Sequence, residues 1–281
     1  MSTLHTFGCS ITQGFALPDV VRELTHSDGR PMSDPEIANS SISWSDIHIL
    51  APSKYSWPAV LGRRLDMPVV NHARRGACFT QIARQCASAQ GTITSEDTVI
   101  VMWTYLSRLS LQWPARTAVP FANQVDTNLW QTVILGINKL FGLERASQAK
   151  PSEDQVIQQW LEQSTHTWLD PMSVYDQYYR NLVLAVMTAG YLESTGARVI
   201  HLSVEPENYL QQLEQARRAL PSTLRAPYNI PKPESWYTLE PNHSCASVIL
   251  DPAIPLAPND MHPSVEHHEQ FAQWLQARYF V

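Results

Sequence analysis

The chain has 281 residues, 44% hydrophobic and 16% charged, with 20 Lys and Arg against 26 Asp and Glu for a formal charge of −6. This length and apolar share suit one large domain or two small ones with a sizeable core and exclude a disordered chain, and the acidic balance argues against a strongly basic nucleic-acid binder. No window of about 18 apolar residues predicts a membrane span. Met1–Phe7 has no basic start before an apolar stretch, so no signal peptide is expected and the default compartment is the cytoplasm. Cys9, Cys78, Cys86 and Cys245 form no C-x-x-C pair and read as free thiols.

In chain order, the apolar run Leu4–Phe7 stops at Gly8 and predicts a buried strand ending in a tight turn. Residues 16–54 are rich in Pro, Ser and Asp with little periodicity. They read as a lid, a binding loop or a surface insertion. Ser56-Trp57-Pro58 opens a helix with Ser56 as N-cap and Val60, Leu61 and Leu65 on its apolar face. Met67–Asn71 predicts a second strand, and Phe79–Ala89 a helix. Thr98–Trp103, a β-branched apolar run, predicts the clearest buried strand.

Residues 110–170 are less regular and read as a helical insertion. Apolar residues at 129, 130, 133, 134, 137, 140 and 141 predict a helix over Asn128–Leu143, and Ser152–Trp160 predicts another. Pro171–Ser194 predicts a long helix stopped at Gly196, and Arg198–Val204 a strand. Ser247–Leu250 predicts a weaker strand. Pro263–Phe280 predicts a closing helix with proline in its first turn. Alternating β and α elements predict a single domain over 1–281 with a mostly parallel sheet covered on both faces. In such sheets, sites gather at the carboxyl ends of strands.

Three segments at those ends carry candidate chemistry. In Gly8-Cys9-Ser10-Ile11-Thr12, a hydroxyl on a turn after a strand, near backbone N–H groups, suits a nucleophile, though serines there are commonly caps or turn residues. In Asn71-His72-Ala73-Arg74-Arg75-Gly76, the glycine can bring its N–H close to a ligand. The arginine pair is either solvated or faces an anionic substrate group. In Pro258-Asn259-Asp260-Met261-His262-Pro263-Ser264, a carboxylate two positions before a histidine can fix its tautomer and support imidazolium. The same residues also suit a helix-cap region. His267 and His268 follow without a familiar zinc spacing, so no metal and no organic cofactor is expected. Trp113, Phe121, Trp130 and Trp160 either line a cleft or pack a core.

In this order, Phe7–Thr12, Ser56-Trp57-Pro58, Asn71–Gly76, the strand ending in Trp103-Thr104, and Asp260–Ser264 resemble the blocks of the SGNH hydrolases, or GDSL-type esterases. The resemblance runs from about residue 3 to 275 and is weakest over 110–195. It implies a three-layer α/β/α, flavodoxin-like fold with a parallel sheet of about five strands. It also implies a serine hydrolase in which Ser10 is nucleophile, His262 general base and Asp260 its orienting acid. Ser10 and Gly76 would donate N–H groups to the oxyanion. Arg74, Arg75, Trp103 and Arg108 fall where substrate would bind.

The sequence departs from the family pattern at three points. Cys9 stands where the family has Asp. The third block, Trp103–Arg108, has no oxyanion Asn, so Thr104, Ser107 or Arg108 would replace it. The acid stands two residues before His262 rather than three, with Asn259 in the three-before position. The expected activity is ester hydrolysis of a small acylated substrate. An acyltransferase or cyclising enzyme using the same acyl-enzyme, or a non-catalytic binding protein on this fold, are the alternatives.

Overall fold

The computed structural model describes residues 2–15, 17–21, 52–106, 108–112, 130–134, 171–204, 209–220, 222, 245–257 and 262–280; for 108–112 and 130–134 it describes the backbone. The N-terminal strand β1 (Leu4–Phe7) is buried along its whole length. It leads into a single helical turn, α1 (Ser10–Gln13), which ends at Gly14 in the left-handed conformation (φ 78°). Only glycine takes that conformation without strain, and a Cβ at Gly14 would meet Ser53 and Ser56 within 3 Å. Within the predicted 16–54 loop, Pro18–Val21 forms a short helix, α2. The ends of this segment are pinned together: Ser53 Oγ donates to Asp19 Oδ1 (2.5 Å), Lys54 N–H to Asp19 Oδ2 (2.8 Å) and Ser53 N–H to Gln13 O (2.9 Å). Residues 22–51 lie outside the described residues.

Helix α3 (Trp57–Leu65) begins where the sequence predicts. Ser56 precedes it, but its hydroxyl donates to Ser53 O (2.6 Å) rather than capping the helix. Strand β2 (Val69–Asn71), helix α4 (Phe79–Ser88) and the fully buried strand β3 (Thr98–Trp103) follow. Next come β4 (Arg108–Gln112) and β5 (Trp130–Ile134), which pair antiparallel with each other. The helix predicted over Asn128–Leu143 is therefore corrected at 130–134. Trp-Gln-Thr-Val-Ile is rich in β-branched and aromatic residues, and a short apolar run fits either period. The helix predicted over Ser152–Trp160 lies outside the described residues.

The chain closes with α5 (Pro171–Glu193), β6 (Arg198–Ser203), α6 (Tyr209–Ala219), α7 (Ala246–Ile249) and α8 (Val265–Tyr279). Helix α7 replaces the strand predicted at Ser247–Leu250, since four residues are too few for periodicity to decide. Pro263 stands one residue before the N-cap Ser264 rather than in the first turn of α8.

The main sheet has the order β2-β1-β3-β6, all parallel, with Leu4 facing Val69 on one side and Thr98 on the other. The crossovers β1–α3–β2 and β2–α4–β3 run in opposite directions, so right-handed connections put α3 and α4 on opposite faces. The helix contacts agree. Helix α8 packs on α3 and α7, while α5 packs on α4 and α6. This is an α/β fold with a parallel sheet between two helical layers, four of its strands lying among the described residues. Trp57 meets Phe271 edge-on in one layer. Phe79 stacks on Trp103 and meets Tyr209 edge-on in the other. No helix among the described residues is long and apolar enough to cross a membrane.

The direction reversal occurs between β1 and β3. In open parallel sheets the crevice at the carboxyl ends of two such strands is the place for ligands.

Candidate active site

Ser10 opens α1 directly beyond β1, at that crevice. Its first-turn N–H has no acceptor within the helix by position. His262 enters from the opposite end of the sequence, just before α8. Its Nε2 stands 2.8 Å from Ser10 Oγ, a hydrogen-bonding distance that makes Nε2 the acceptor of the serine proton when the ring proton is on Nδ1. Ala257 N–H donates to His262 O (2.9 Å), which ties the ends of the intervening loop together. Asp260 and Asn259 lie in that loop, outside the described residues.

The neighbouring histidines have structural roles. His267 is engaged by the Ser264 cap and approaches Asp251 O through Nε2 (3.0 Å). His268 is fully buried and accepts Trp57 N–H through Nδ1 (3.0 Å). Burial first, then His267 and His262 nearby, hold it down to about 3. His262 alone among these three meets the serine.

The turn that carries Ser10 is packed from beneath. Thr12 Oγ1 donates to Met102 Sδ (3.4 Å), and Gly8 N–H points at Gln85 Oε1 (3.4 Å). Cys9 precedes α1 as its N-cap and is fully buried in the core, where it is a packing residue.

Asn71, at the end of β2, links two loops. Its Nδ2 donates to Thr12 O (2.9 Å), and its Oδ1 accepts Ala73 N–H (3.0 Å). Arg74 N–H donates to Gly8 O (3.2 Å), which holds the 71–77 loop against the Ser10 turn. Gly76 follows with φ 71°, and a Cβ there would meet nothing within 4 Å among the described residues. His72 stacks flat on Phe7, with ring centroids 4.5 Å apart, and burial followed by His5 lowers it to about 4.

Two aromatic contacts extend the site outward. The Phe15 ring lies 4.9 Å from that of His262, and the Arg75 guanidinium sits 4.4 Å over Phe15. Arg74 and Arg75 are both exposed. Phe15 has no signal in the sequence. It is an isolated aromatic five positions after Ser10, brought to His262 only by the turn at Gly14.

Thr104 follows β3. It stands three residues past Val101 as Ser10 stands three past Phe7, and those two are register partners. It is fully buried, its hydroxyl has no hydrogen-bond partner among the described residues, and its carbonyl accepts Tyr209 Oη (2.7 Å). Trp103, expected at the substrate site, is placed in the core. It is fully buried, stacks on Phe79 and His201, and donates to His201 Nδ1 (3.1 Å), so its assignment to substrate binding is corrected to core packing. Arg108 begins β4, and its side chain lies outside the described residues, as does Ser107. Among the described residues no group of three His, Cys, Asp or Glu side chains is arranged to hold a metal ion.

No protein-family model matches the sequence, and no curated protein does. Two similar solved structures are both assigned to the lipolytic G-D-S-L family. One, from Desulfitobacterium hafniense, is 12% identical over 99% of each chain with a TM-score of 0.41. The other, from Veillonella parvula, is 13% identical over 100% of this chain and 99% of its own with a TM-score of 0.39.

Proposed function

We propose that the chain is a serine hydrolase of the SGNH, or GDSL-type, kind that cleaves an ester through an acyl-enzyme on Ser10. The observation that supports this reading most is the 2.8 Å approach of His262 Nε2 to Ser10 Oγ at the β1/β3 crevice. A serine and a histidine from opposite ends of the chain meet where an α/β sheet offers its ligand site.

In this mechanism Ser10 Oγ attacks the acyl carbonyl as its proton passes to His262 Nε2. The carbonyl oxygen becomes an oxyanion held by the N–H groups of Ser10 and Gly76, with the Thr104 hydroxyl as third donor. A buried hydroxyl without a partner is costly unless a ligand satisfies it, which favours Thr104 in place of the missing Asn. The His262 proton then passes to the leaving alkoxide, the C–O bond breaks, and the acyl group remains on Ser10. Water, deprotonated by His262, releases the acid and restores the serine. Asp260 orients His262 and supports the imidazolium. The segment 16–54, pinned at its base beside α1, is the candidate lid.

The test is labelling with a neutral fluorophosphonate followed by peptide mapping. Ser10 should carry the adduct, and Ser10→Ala and His262→Ala should each lose it while retaining the wild-type circular dichroism. A folded protein in which His262→Ala labels as fast as wild type would remove His262 from the mechanism and favour the binding-protein reading.

A further inference from the structure

We infer that His72 is a positioning residue for the Gly76 N–H, and that it holds the 71–77 loop through a hydrogen bond to His5 that Asp97 backs. This rests on the hydrolase reading, in which Gly76 donates to the oxyanion, and adds to it what fixes that donor. Neither the two imidazoles nor the carboxylate takes part in the proposed chemistry of Ser10 and His262.

The chain of polar groups starts at the amino edge of the sheet. Asp97, buried just before β3, accepts Thr3 N–H, Thr94 N–H and the Thr94 hydroxyl, each at 2.8 Å. His5 is buried in β1 with its Nε2 3.8 Å from Asp97 Oδ2. Its Nδ1 lies 3.2 Å from His72 Nε2. The two ring planes are 8° apart and their centroids 5.5 Å apart. Rings of this size meet all three values only end to end in nearly one plane, so the N–H points along the acceptor lone pair. A carboxylate facing Nε2 of His5 favours the ring proton on that nitrogen. Nδ1 of His5 then accepts, and His72 Nε2–H is the donor. Burial keeps both rings neutral near pH 7: it lowers His5 against the pull of Asp97 and brings His72, with His5 beside it, to about 4.

His72 is thereby fixed from three directions. Its backbone N–H donates to Thr6 O (2.9 Å), its ring face lies on Phe7 and its ring edge meets His5. The N–H groups of Ala73 and Arg74 follow on Asn71 Oδ1 and Gly8 O, and Gly76 then turns the chain at φ 71°. A shift of His72 would carry these residues with it and swing the Gly76 N–H away from Ser10. Leu or Val at position 5 would be buried without the cost of desolvating a ring. A satisfied polar pair fixes one geometry where an apolar contact tolerates several, and that is what an oxyanion donor needs.

The experiment follows fluorophosphonate labelling of Ser10 against reagent concentration in wild type, His72→Phe and His72→Gln, with urea unfolding of each. Phenylalanine keeps a flat ring on Phe7 and removes the donor. Glutamine keeps an amide N–H near the same place and removes the ring. An oxyanion donor acts in the transition state rather than in reagent binding. His72→Phe should therefore lower the maximal labelling rate by about tenfold, with the half-saturating concentration within about twofold of wild type. His72→Gln should recover most of that rate even where its unfolding midpoint is the lower of the two, which a purely structural role would not produce. An unchanged maximal rate in His72→Phe, or equal losses in both variants, would overturn the inference while leaving the Ser10 chemistry intact. If wild-type Ser10 does not label at all, the hydrolase reading fails instead. Hydrogen exchange of the Arg74 amide, which is bonded to Gly8 O, then decides the hold of His72 on the loop alone. Exchange about tenfold faster in His72→Phe and slowed again in His72→Gln supports it, and equal exchange in all three proteins overturns it.

Discussion

Replacing Gly8 with alanine tests whether the nucleophile turn is as tightly packed as its geometry implies. An ideal Cβ at Gly8 falls 2.2 Å from Thr12 Oγ1, 2.8 Å from Thr12 Cβ and 3.2 Å from Met102 O. Rotation of Thr12 about χ1 relieves the first contact and gives up the 3.4 Å hydrogen bond to Met102 Sδ. It does nothing for the second, because Cβ moves only with the backbone of α1, and nothing for the third, which is the backbone of β3. Two of three clashes thus require main-chain movement, placing the cost in the upper part of the roughly 1–3 kcal/mol typical of overpacking. With a urea m-value of about 2 kcal/mol/M, the unfolding midpoint should fall by about 1 M. The same movement disturbs Gly8 N–H toward Gln85 and Gly8 O beneath Arg74 N–H, and so the direction of Ser10. Fluorophosphonate labelling should slow by about tenfold or more, since small misplacements of a reacting group carry large rate penalties. Thr12→Ala on top of Gly8→Ala removes Oγ1 but leaves a Cβ at the same place, so it should restore part of the midpoint and not all of it. A Gly8→Ala protein with an unchanged midpoint and unchanged labelling would refute the reasoning.

Acid should destabilise the fold from near neutrality downward. His201 and His268, fully buried, are held down to about 3 and His72 to about 4, all by burial first, whereas an unfolded histidine protonates near 6.5. The unfolded chain therefore takes up protons first. Stability contributed by these neutral rings is present above about pH 6.5 and declines as pH falls toward 3–4; a urea midpoint constant between about pH 7 and pH 4 would contradict it. Gly76→Ala should lose about 1 kcal/mol of stability to positive-φ strain alone, because its Cβ meets nothing, and thermal unfolding will read that loss. Asn71→Ala removes both bridges between the β2 end and the neighbouring loops. Labelling of Ser10 should slow several-fold beyond what a stability loss of about 1–3 kcal/mol explains at temperatures where the protein stays folded. Equal labelling rates would show that the turn holds its shape without Asn71.

The parts of this fold legible in the sequence are those in which burial is continuous. Leu4–Phe7 and Thr98–Trp103 have the observed bounds because strands inside a parallel sheet bury both faces and read as unbroken apolar runs. Val69–Asn71 is shorter than expected; among the described residues it lies at the sheet edge and pairs only with β1. Helix α6 has no element assigned to it in the sequence reading. Only Tyr209 and Leu213 of its eleven residues are buried, one per turn in a segment otherwise dominated by Gln, Glu and Arg. In the candidate site, Ser10 and His262, whose side chains meet, were legible because each sits in a short motif at a predicted strand or helix end. Phe15 over His262, Asn71 bridging two loops and Trp103 turned into the core depend on how turns and layers meet, and no local periodicity records that.

In the proposed mechanism the two reacting side chains, Ser10 and His262, are 252 positions apart in sequence. At ribosomal rates of about 5–20 residues per second, roughly 13–50 s pass between addition of the serine and addition of the histidine. Throughout that interval the growing chain would carry the proposed nucleophile with no base beside it. Helix α8 packs on α3, so on the proposed mechanism docking of this late helix would double as the step that arms the serine. On the same mechanism, a nascent or misfolded chain that fails to seat α8 would be chemically inert. Esterase activity in a refolding experiment would therefore report the closure of the fold rather than the collapse of its sheet.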